Sequence, residues 1–260
     1  QLSKLRKERG YHVEESNGHL LFTGNPGTGK TEIARLYTEI LYEHGLIAEN
    51  KIVEVGRADL IGEYVGQTAP KIKTVFDSAS GGVLFIDEAY SLIPQSERDF
   101  ANEAIPTIIQ EMENRRNEIV VIFAGYKDLM HNFIDTNPGL QSRISKIIHF
   151  EDYSVDELYE IFFFFFSKKD YSIESSCEKV LRSHFSKVGT TEHFGNGRYV
   201  RKLIETSFYQ QATRVMEKTG NRTLEEKEMN VVIEADIKNA IQELSELEST
   251  QRLIGFGLQG

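Results

Sequence analysis

Residues 20–31 read LLFTGNPGTGKT. Leu20 to Thr23 have the look of a short buried strand, and they run straight into Gly24. From Gly24 the chain fits G-x-x-x-x-G-K-[ST], and the next segment, TEIARLYTEILYEHG (31–45), repeats apolar residues at helical spacing before stopping at Gly45. A glycine loop between a strand and a helix start is the setting this pattern requires for holding nucleotide phosphates. Glycine lets backbone N–H groups turn inward. The helix N-terminus adds partial positive charge facing the anion. The reading therefore assigns phosphate contact to Asn25, Pro26, Gly27, Thr28, Gly29, Lys30, Thr31 and Glu32. Lys30 is expected at the β- and γ-phosphates of ATP or ADP, and the Thr31 hydroxyl on Mg2+.

A second stretch completes that chemistry. VLFIDE (83–88) is an apolar run ending in two acids. Asp87 at the strand tip suits a Mg2+ held through its water shell. Glu88 is then placed to polarise an attacking water. Alone, such a pair is an ordinary strand end; downstream of a phosphate loop it predicts ATP hydrolysis.

The surrounding pattern predicts an α/β fold. Further strands are expected at 51–56, 118–125 and 146–150, with helices at 69–79 and 98–115, the latter kinked at Pro106. Strands alternating with helices imply five mainly parallel strands between helical layers. After FEDYS the pattern becomes helical, at 155–168, 174–187, 197–218 and 235–248, opening with a Ser154–Glu157 capping box. The expected domains are an α/β core over 1–151, a smaller helical domain over 152–248 and a tail over 249–260.

Composition narrows the partners. The 260 residues carry a net charge of −10, which gives no electrostatic footprint for general nucleic-acid binding. No apolar run reaches membrane-spanning length and the polar start lacks a signal-peptide pattern, so no membrane is expected. Cys177 is the single cysteine, which suits the cytoplasm. It sits in a helical pattern and reads as a core thiol. Five consecutive phenylalanines, Phe162 to Phe166, cover every side of a helix, so part of the run is expected to meet something outside its own core.

The combination LLFTGNPGTGKT, ADLIGEYVGQTAPK, GGVLFIDEAYSL, ERDFANEAI, VVIFAGY, NPGLQSRI and FGNGRYVRKLIE resembles the AAA+ ATPases, and within them the CbxX/CfqX type. That type includes the red-type Rubisco activase and the stage V sporulation protein K. The match runs from about residue 19 to 206, with RLIGF (252–256) similar to the family's tail. The resemblance implies a nucleotide-binding core, a helical lid and a homo-oligomeric ring of six with ATP between neighbours. It places Arg143 as an arginine finger for the next subunit, and Arg198 as the lid arginine touching phosphate from its own side, with Arg201 a weaker candidate. Many members end the fourth core strand with a polar sensor; here Gly125 and Tyr126 stand there. The adenine-contacting segment that precedes the loop in this family is expected to lie largely outside these residues.

The resemblance also gives IGEYVGQTAP (61–70) a role. Tyr64 and Val65, flanked by Gly62 and Gly66, match the loop that faces the ring's channel, where an aromatic grips a peptide without reading its sequence. The expected function is an ATP-driven remodeller of a protein client, a chaperone of the sporulation or Rubisco-activating kind. A composition rich in lysine, isoleucine and glutamate leans toward the sporulation branch. The competing readings are an ATP-switched assembly scaffold that threads nothing, and a nucleic-acid motor, which the acidic charge opposes.

Overall fold

The strand that feeds the phosphate loop lies inside a parallel sheet. A computed structural model of the chain describes residues 18–94, 96, 99–191, 194–219 and 229–255. Among these, β1 (His19–Gly24), β2 (Ile52–Val55), β3 (Val83–Ile86), β4 (Val120–Gly125) and β5 (Ile144–Phe150) form one sheet in the order β2-β3-β4-β1-β5. Every pairing is parallel. Helices cover both faces, so the inner strands read as unbroken apolar runs rather than alternating ones. Leu21, Leu84, Ile86, Val121 and Phe123 pack on one face with Ile72, Phe76, Ile108 and Phe133. Leu20, Phe22, Val83, Phe85, Ile122 and Ala124 pack on the other with Ala34 and Leu41.

The first helix departs from its pattern. α1 (Lys30–Glu43) buries Ala34, Thr38 and Leu41, while Ile33, Leu36 and Ile40 stay largely exposed. Helical spacing identified the helix but not the face it buries. The short α2 (Arg57–Leu60) precedes α3 (Thr68–Ala79). The expected helix over 98–115 is a 3-10 turn, Phe100–Glu103, followed by α4 (Ala104–Asn114). Pro106 thus falls in the first turn, where its missing N–H would have had no intrahelical partner, and it ends no helix. Two short helices, α5 (Lys127–Asp135) and α6 (Pro138–Gln141), lead into β5.

The chain divides into two compact units. One comprises residues up to Gly24 together with Gly29–Phe150; the other comprises Asn25–Thr28 and the chain from Glu151. The second unit is built on α7 (Val155–Phe166), α8 (Cys177–Val188), α9 (Asn196–Thr219) and α10 (Glu234–Gly255), with a two-residue parallel pair, β6 (Ser172–Ile173) and β7 (Val231–Val232). α7 starts at a capping box: the Ser154 hydroxyl accepts from Glu157 N at 3.3 Å, and the Glu157 carboxylate accepts from Ser154 N at 2.8 Å. The Ser154 N–H, and after it the Ser154 hydroxyl donating to the same carboxylate at 2.8 Å, hold the Glu157 carboxyl below its ordinary pKa.

Phe162 and Phe166 join Leu158, Leu181, Phe185, Val200 and Ile237 in the core of this unit. Phe163 and Phe164 remain exposed. Lys168 Nζ sits 3.8 Å above the Phe164 ring, and the Arg201 guanidinium 4.4 Å from the Phe165 ring centre, so cations cover part of the run. Cys177 is buried there, and burial pushes its thiol up to about 11, which makes it unreactive packing. Among the described residues, no helix is long and apolar enough to cross a membrane.

Candidate nucleotide site

Parallel strands send all their C-terminal ends to one edge of the sheet, and ligands of open α/β sheets bind along that edge. β1 ends there at Gly24, followed by Lys30 and Thr31 at the start of α1. Gly24 has φ +146°, and a Cβ on it would overlap the Phe150 carbonyl oxygen, so only glycine fits. Lys30 Nζ donates to Gly24 O at 2.8 Å, which folds the ammonium back over the loop. The register sets Ile86 beside Phe123, and Phe123 beside Leu21. Asp87 and Glu88 therefore follow at the height where β1 runs into Gly24. Both are exposed, as is Glu32 in the first turn of α1.

Glu88 has left-handed backbone angles, φ 49° and ψ 43°, unusual for a residue with a side chain. Its N–H donates to Asp87 Oδ1 at 3.0 Å. The Tyr90 hydroxyl lies within reach of the Glu88 carboxylate. Burial, followed by the charges of Glu88 and Asp87 and the neighbouring Tyr126, pushes the Tyr90 phenol up to about 12. Tyr90 therefore stays protonated and donates. Tyr126 precedes α5 and its ring lies 5.8 Å from that of Tyr90. A Cβ on Gly125 would crowd Tyr90 Cδ1 at 2.8 Å, so this glycine makes room for the tyrosine beside the acids.

The middle of the glycine loop, Asn25–Thr28, belongs to the second unit. Asn25 Nδ2 donates to both Asp152 oxygens, at 3.0 and 2.9 Å. Gly27 has φ +71°, and a Cβ there would overlap the Gly195 carbonyl oxygen and press Arg198 N at 2.7 Å. Arg198 is exposed in the first turn of α9.

Arg143 lies at the other edge of the sheet. It immediately precedes Ile144, which pairs with His19 at the start of β1. Its guanidinium donates to Glu113 Oε2 at 2.8 Å and to Gly139 O at 2.9 Å. His19 Nδ1 accepts from Val121 N at 3.0 Å, and burial, then the nearby Arg143 charge, pushes its pKa down to about 4. His19 Nε2 and Arg143 Nε are buried nitrogens without a hydrogen-bond partner among the described residues.

Tyr64 and Val65 sit on the loop between α2 and α3 and are 66% and 82% exposed. The loop is pinned at its base. Gly62 N donates to Thr68 Oγ1 at 3.1 Å, and that hydroxyl donates on to Phe100 O at 2.9 Å. Lys71 Nζ donates to Ala58 O at 2.6 Å and Ile61 O at 3.0 Å. Gly66 turns the chain at φ +82°.

Residues 20–152 match the model of the ATPase family associated with various cellular activities, AAA. The chain belongs to the AAA ATPase family. Residues 154–246 match the AAA lid domain. A CfxQ homolog from Galdieria sulphuraria is 44% identical over 236 residues, covering 90% of this chain and 77% of the relative. The chloroplastic ribulose bisphosphate carboxylase/oxygenase activase of Cyanidioschyzon merolae is 42% identical, covering 85% and 76%. Stage V sporulation protein K of Bacillus subtilis is 41% identical, covering 83% and 68%. The solved FIGL-1 AAA domain superposes with a TM-score of 0.62 over 97% of this chain and 81% of its own, at 17% identity, and so supports the fold alone.

In this AAA ATPase, sequence reasoning missed Tyr90, Glu113, Asp152, Tyr153 and Asn196 as neighbours of the expected site residues. Asn196 had a signal, since the dipeptide Gly195–Asn196 breaks an otherwise helical pattern next to Arg198. Tyr90 and Glu113 had none, because their relevance depends on which side chain the fold sets beside them.

Proposed function

We propose that the chain is a Mg2+-dependent ATPase that assembles into a ring of six and couples hydrolysis to remodelling of a protein client. The observation that carries the ring is the position of Arg143 at the edge of the sheet away from Lys30, Asp87 and Glu88. A guanidinium there serves a nucleotide held by another copy.

Within the site, Asn25 to Glu32 surround the phosphates, Lys30 neutralises them, and Arg198 meets them from the lid. Thr31 and Asp87 offer a hydroxyl and a carboxylate, the hard oxygen donors that Mg2+ prefers. Among the described residues no group of three His, Cys, Asp or Glu could hold a metal alone, which suits an ion bound largely through phosphate and water. Bound Mg2+ would supply charge neutralisation at the transferring phosphate. Glu88, held by Tyr90, orients and deprotonates the attacking water.

Exposed Tyr64 and Val65 on a pinned, glycine-flanked loop support client contact in the channel. Apolar grip without hydrogen-bond readout suits an extended polypeptide of varied sequence. The relatives' names suggest either ribulose bisphosphate carboxylase/oxygenase as the client or a role in sporulation, and the cytoplasm is the compartment proposed.

The test is sedimentation and ATPase rate of wild type and Glu88→Gln, with and without Mg-ATP. The reading expects ATP-driven hexamers, trapped and inactive in Glu88→Gln. A monomer that hydrolyses ATP at the same rate at all concentrations would remove the ring.

A further inference from the structure

We infer that Tyr153, Asn196 and Gly197 orient the peptide groups of the phosphate loop, which makes Tyr153 and Asn196 positioning residues for nucleotide binding. The inference rests on the nucleotide reading above. Asn25 O accepts from the Thr28 hydroxyl at 2.8 Å. Pro26 O accepts from Asn196 Nδ2 at 3.4 Å, a long bond. Gly27 O accepts from Gly197 N at 3.1 Å. Thr28 O accepts from the Tyr153 hydroxyl at 3.1 Å. Four consecutive carbonyls are thus occupied, the last three by groups outside the loop.

A trans peptide points its C=O and its N–H in opposite directions. Holding the carbonyls of Pro26, Gly27 and Thr28 against Asn196, Gly197 and Tyr153 therefore turns the N–H groups of Gly27, Thr28 and Gly29 the other way. Those are donors that a phosphate needs. A peptide flipped about its axis would offer an oxygen to the anion instead. Fixing the dipoles before the ligand arrives removes that reorganisation from the cost of binding.

The holding groups are themselves fixed. Asn196 is fully buried, with a left-handed backbone at φ 46°. Its Oδ1 accepts from Tyr153 N at 2.9 Å, which sets the amide so that Nδ2 donates. The two Nδ2 hydrogens go chiefly to Asp152 Oδ1 at 2.7 Å and Phe194 O at 2.9 Å, so the Pro26 contact is a weak shared one; Asp152 in turn accepts from Asn25, which ties Asn196 to the loop by a second route. Gly197 N is one of the first-turn N–H groups of α9 that have no intrahelical acceptor, and the loop carbonyl supplies one. Burial, then the Glu157 charge, pushes the Tyr153 phenol upward, so it remains a donor.

The experiment titrates a fluorescent ADP into wild type, Tyr153→Phe, Asn196→Gly and Lys30→Ala, alongside thermal melts without nucleotide and kcat and KM for ATP. Tyr153→Phe deletes one hydroxyl, and Asn196→Gly keeps the left-handed backbone accessible. Each is expected to raise the ADP Kd about 3- to 10-fold, as the loss of an orienting hydrogen bond implies, and to raise KM more than it lowers kcat. Wild-type Kd in both variants, with binding lost in Lys30→Ala, overturns the inference and leaves the site reading standing. A lowered melting temperature and kcat with unchanged KM marks a structural role only, and also overturns it. Wild-type binding by Lys30→Ala overturns the site reading and the inference together. If Asn196→Gly does not fold, Tyr153→Phe decides alone.

Discussion

Arg143 and Gly24 stand at opposite ends of the same sheet. Arg143 adjoins the His19–Ile144 pair, and Gly24 lies five residues further along β1 beside Phe150. Five strand residues span ~17 Å, beyond the reach of one side chain. Arg143→Ala is therefore expected to lower turnover by ~10³-fold or more, as loss of an arginine finger does, while ADP affinity holds. Arg143→Lys is expected to rescue little, because a lysine lacks the planar fork. Stopped-flow ADP binding beside steady-state ATPase checks both. The ion pair with Glu113 is half-exposed, so it aims the guanidinium more than it stabilises the fold.

Tyr90→Phe removes the hydroxyl that holds Glu88 without disturbing the ring packing beside Gly125. The expected result is a kcat lower by about 3- to 10-fold with nucleotide affinity kept, since the hydroxyl neighbours the carboxylate proposed to act in hydrolysis alone. Equal kcat in wild type and Tyr90→Phe would free Glu88 of this partner.

Gly27→Ala places a methyl onto the Gly195 carbonyl at a positive φ. Overlap and backbone strain together are expected to cost about 1–3 kcal/mol of stability. They should also spoil the loop, so melting temperature and ADP binding fall together. A Gly27→Ala protein that melts and binds like wild type would mean the loop packs elsewhere.

Tyr64→Ala is expected to keep ATPase activity and lose ATP-dependent remodelling. The direct readout is ATPase stimulation by an unfolded test polypeptide such as casein: wild type responds and the variant does not. Remodelling left intact in Tyr64→Ala would detach this loop from the client.

His19 gives a pH signature. It is buried and neutral, with its pKa lowered from 6.5 to about 4, while the unfolded chain regains the ordinary value. Above about pH 6.5 neither state is protonated and nothing is lost. As pH falls from there toward 4, only the unfolded state takes up the proton, so folding weakens, by ~3 kcal/mol at the limit. His184, lowered by burial and then by Lys187, acts in the same direction. Urea unfolding at pH 7.5 and 4.5 should show a smaller loss in His19→Gln than in wild type.

The sequence made some of this legible and hid the rest for physical reasons. Unbroken runs such as VLFI and VVIF announce strands buried on both faces, and Gly24 to Thr31 announces a glycine loop between strand and helix, because both depend on contiguous residues. The buried face of α1 was not readable, since Ile33, Leu36 and Ile40 have the spacing of a core stripe yet lie outward. Tyr153 was invisible as a partner of the loop: it and Thr28 are separated by 125 residues, and only folding brings a hydroxyl to that carbonyl. Glu88 was readable as an acid after a strand, but not the left-handed turn that carries it.

The central claim is that each nucleotide is served by an arginine from another copy. Mixing Lys30→Ala, which keeps Arg143 but cannot hold ATP, with Arg143→Ala, which holds ATP but lacks the arginine, tests it most directly. The account predicts that the mixture hydrolyses ATP well above the sum of the two separate proteins, with the gain falling on dilution. A mixture no more active than that sum, or an Arg143→Ala protein active by itself, would contradict it.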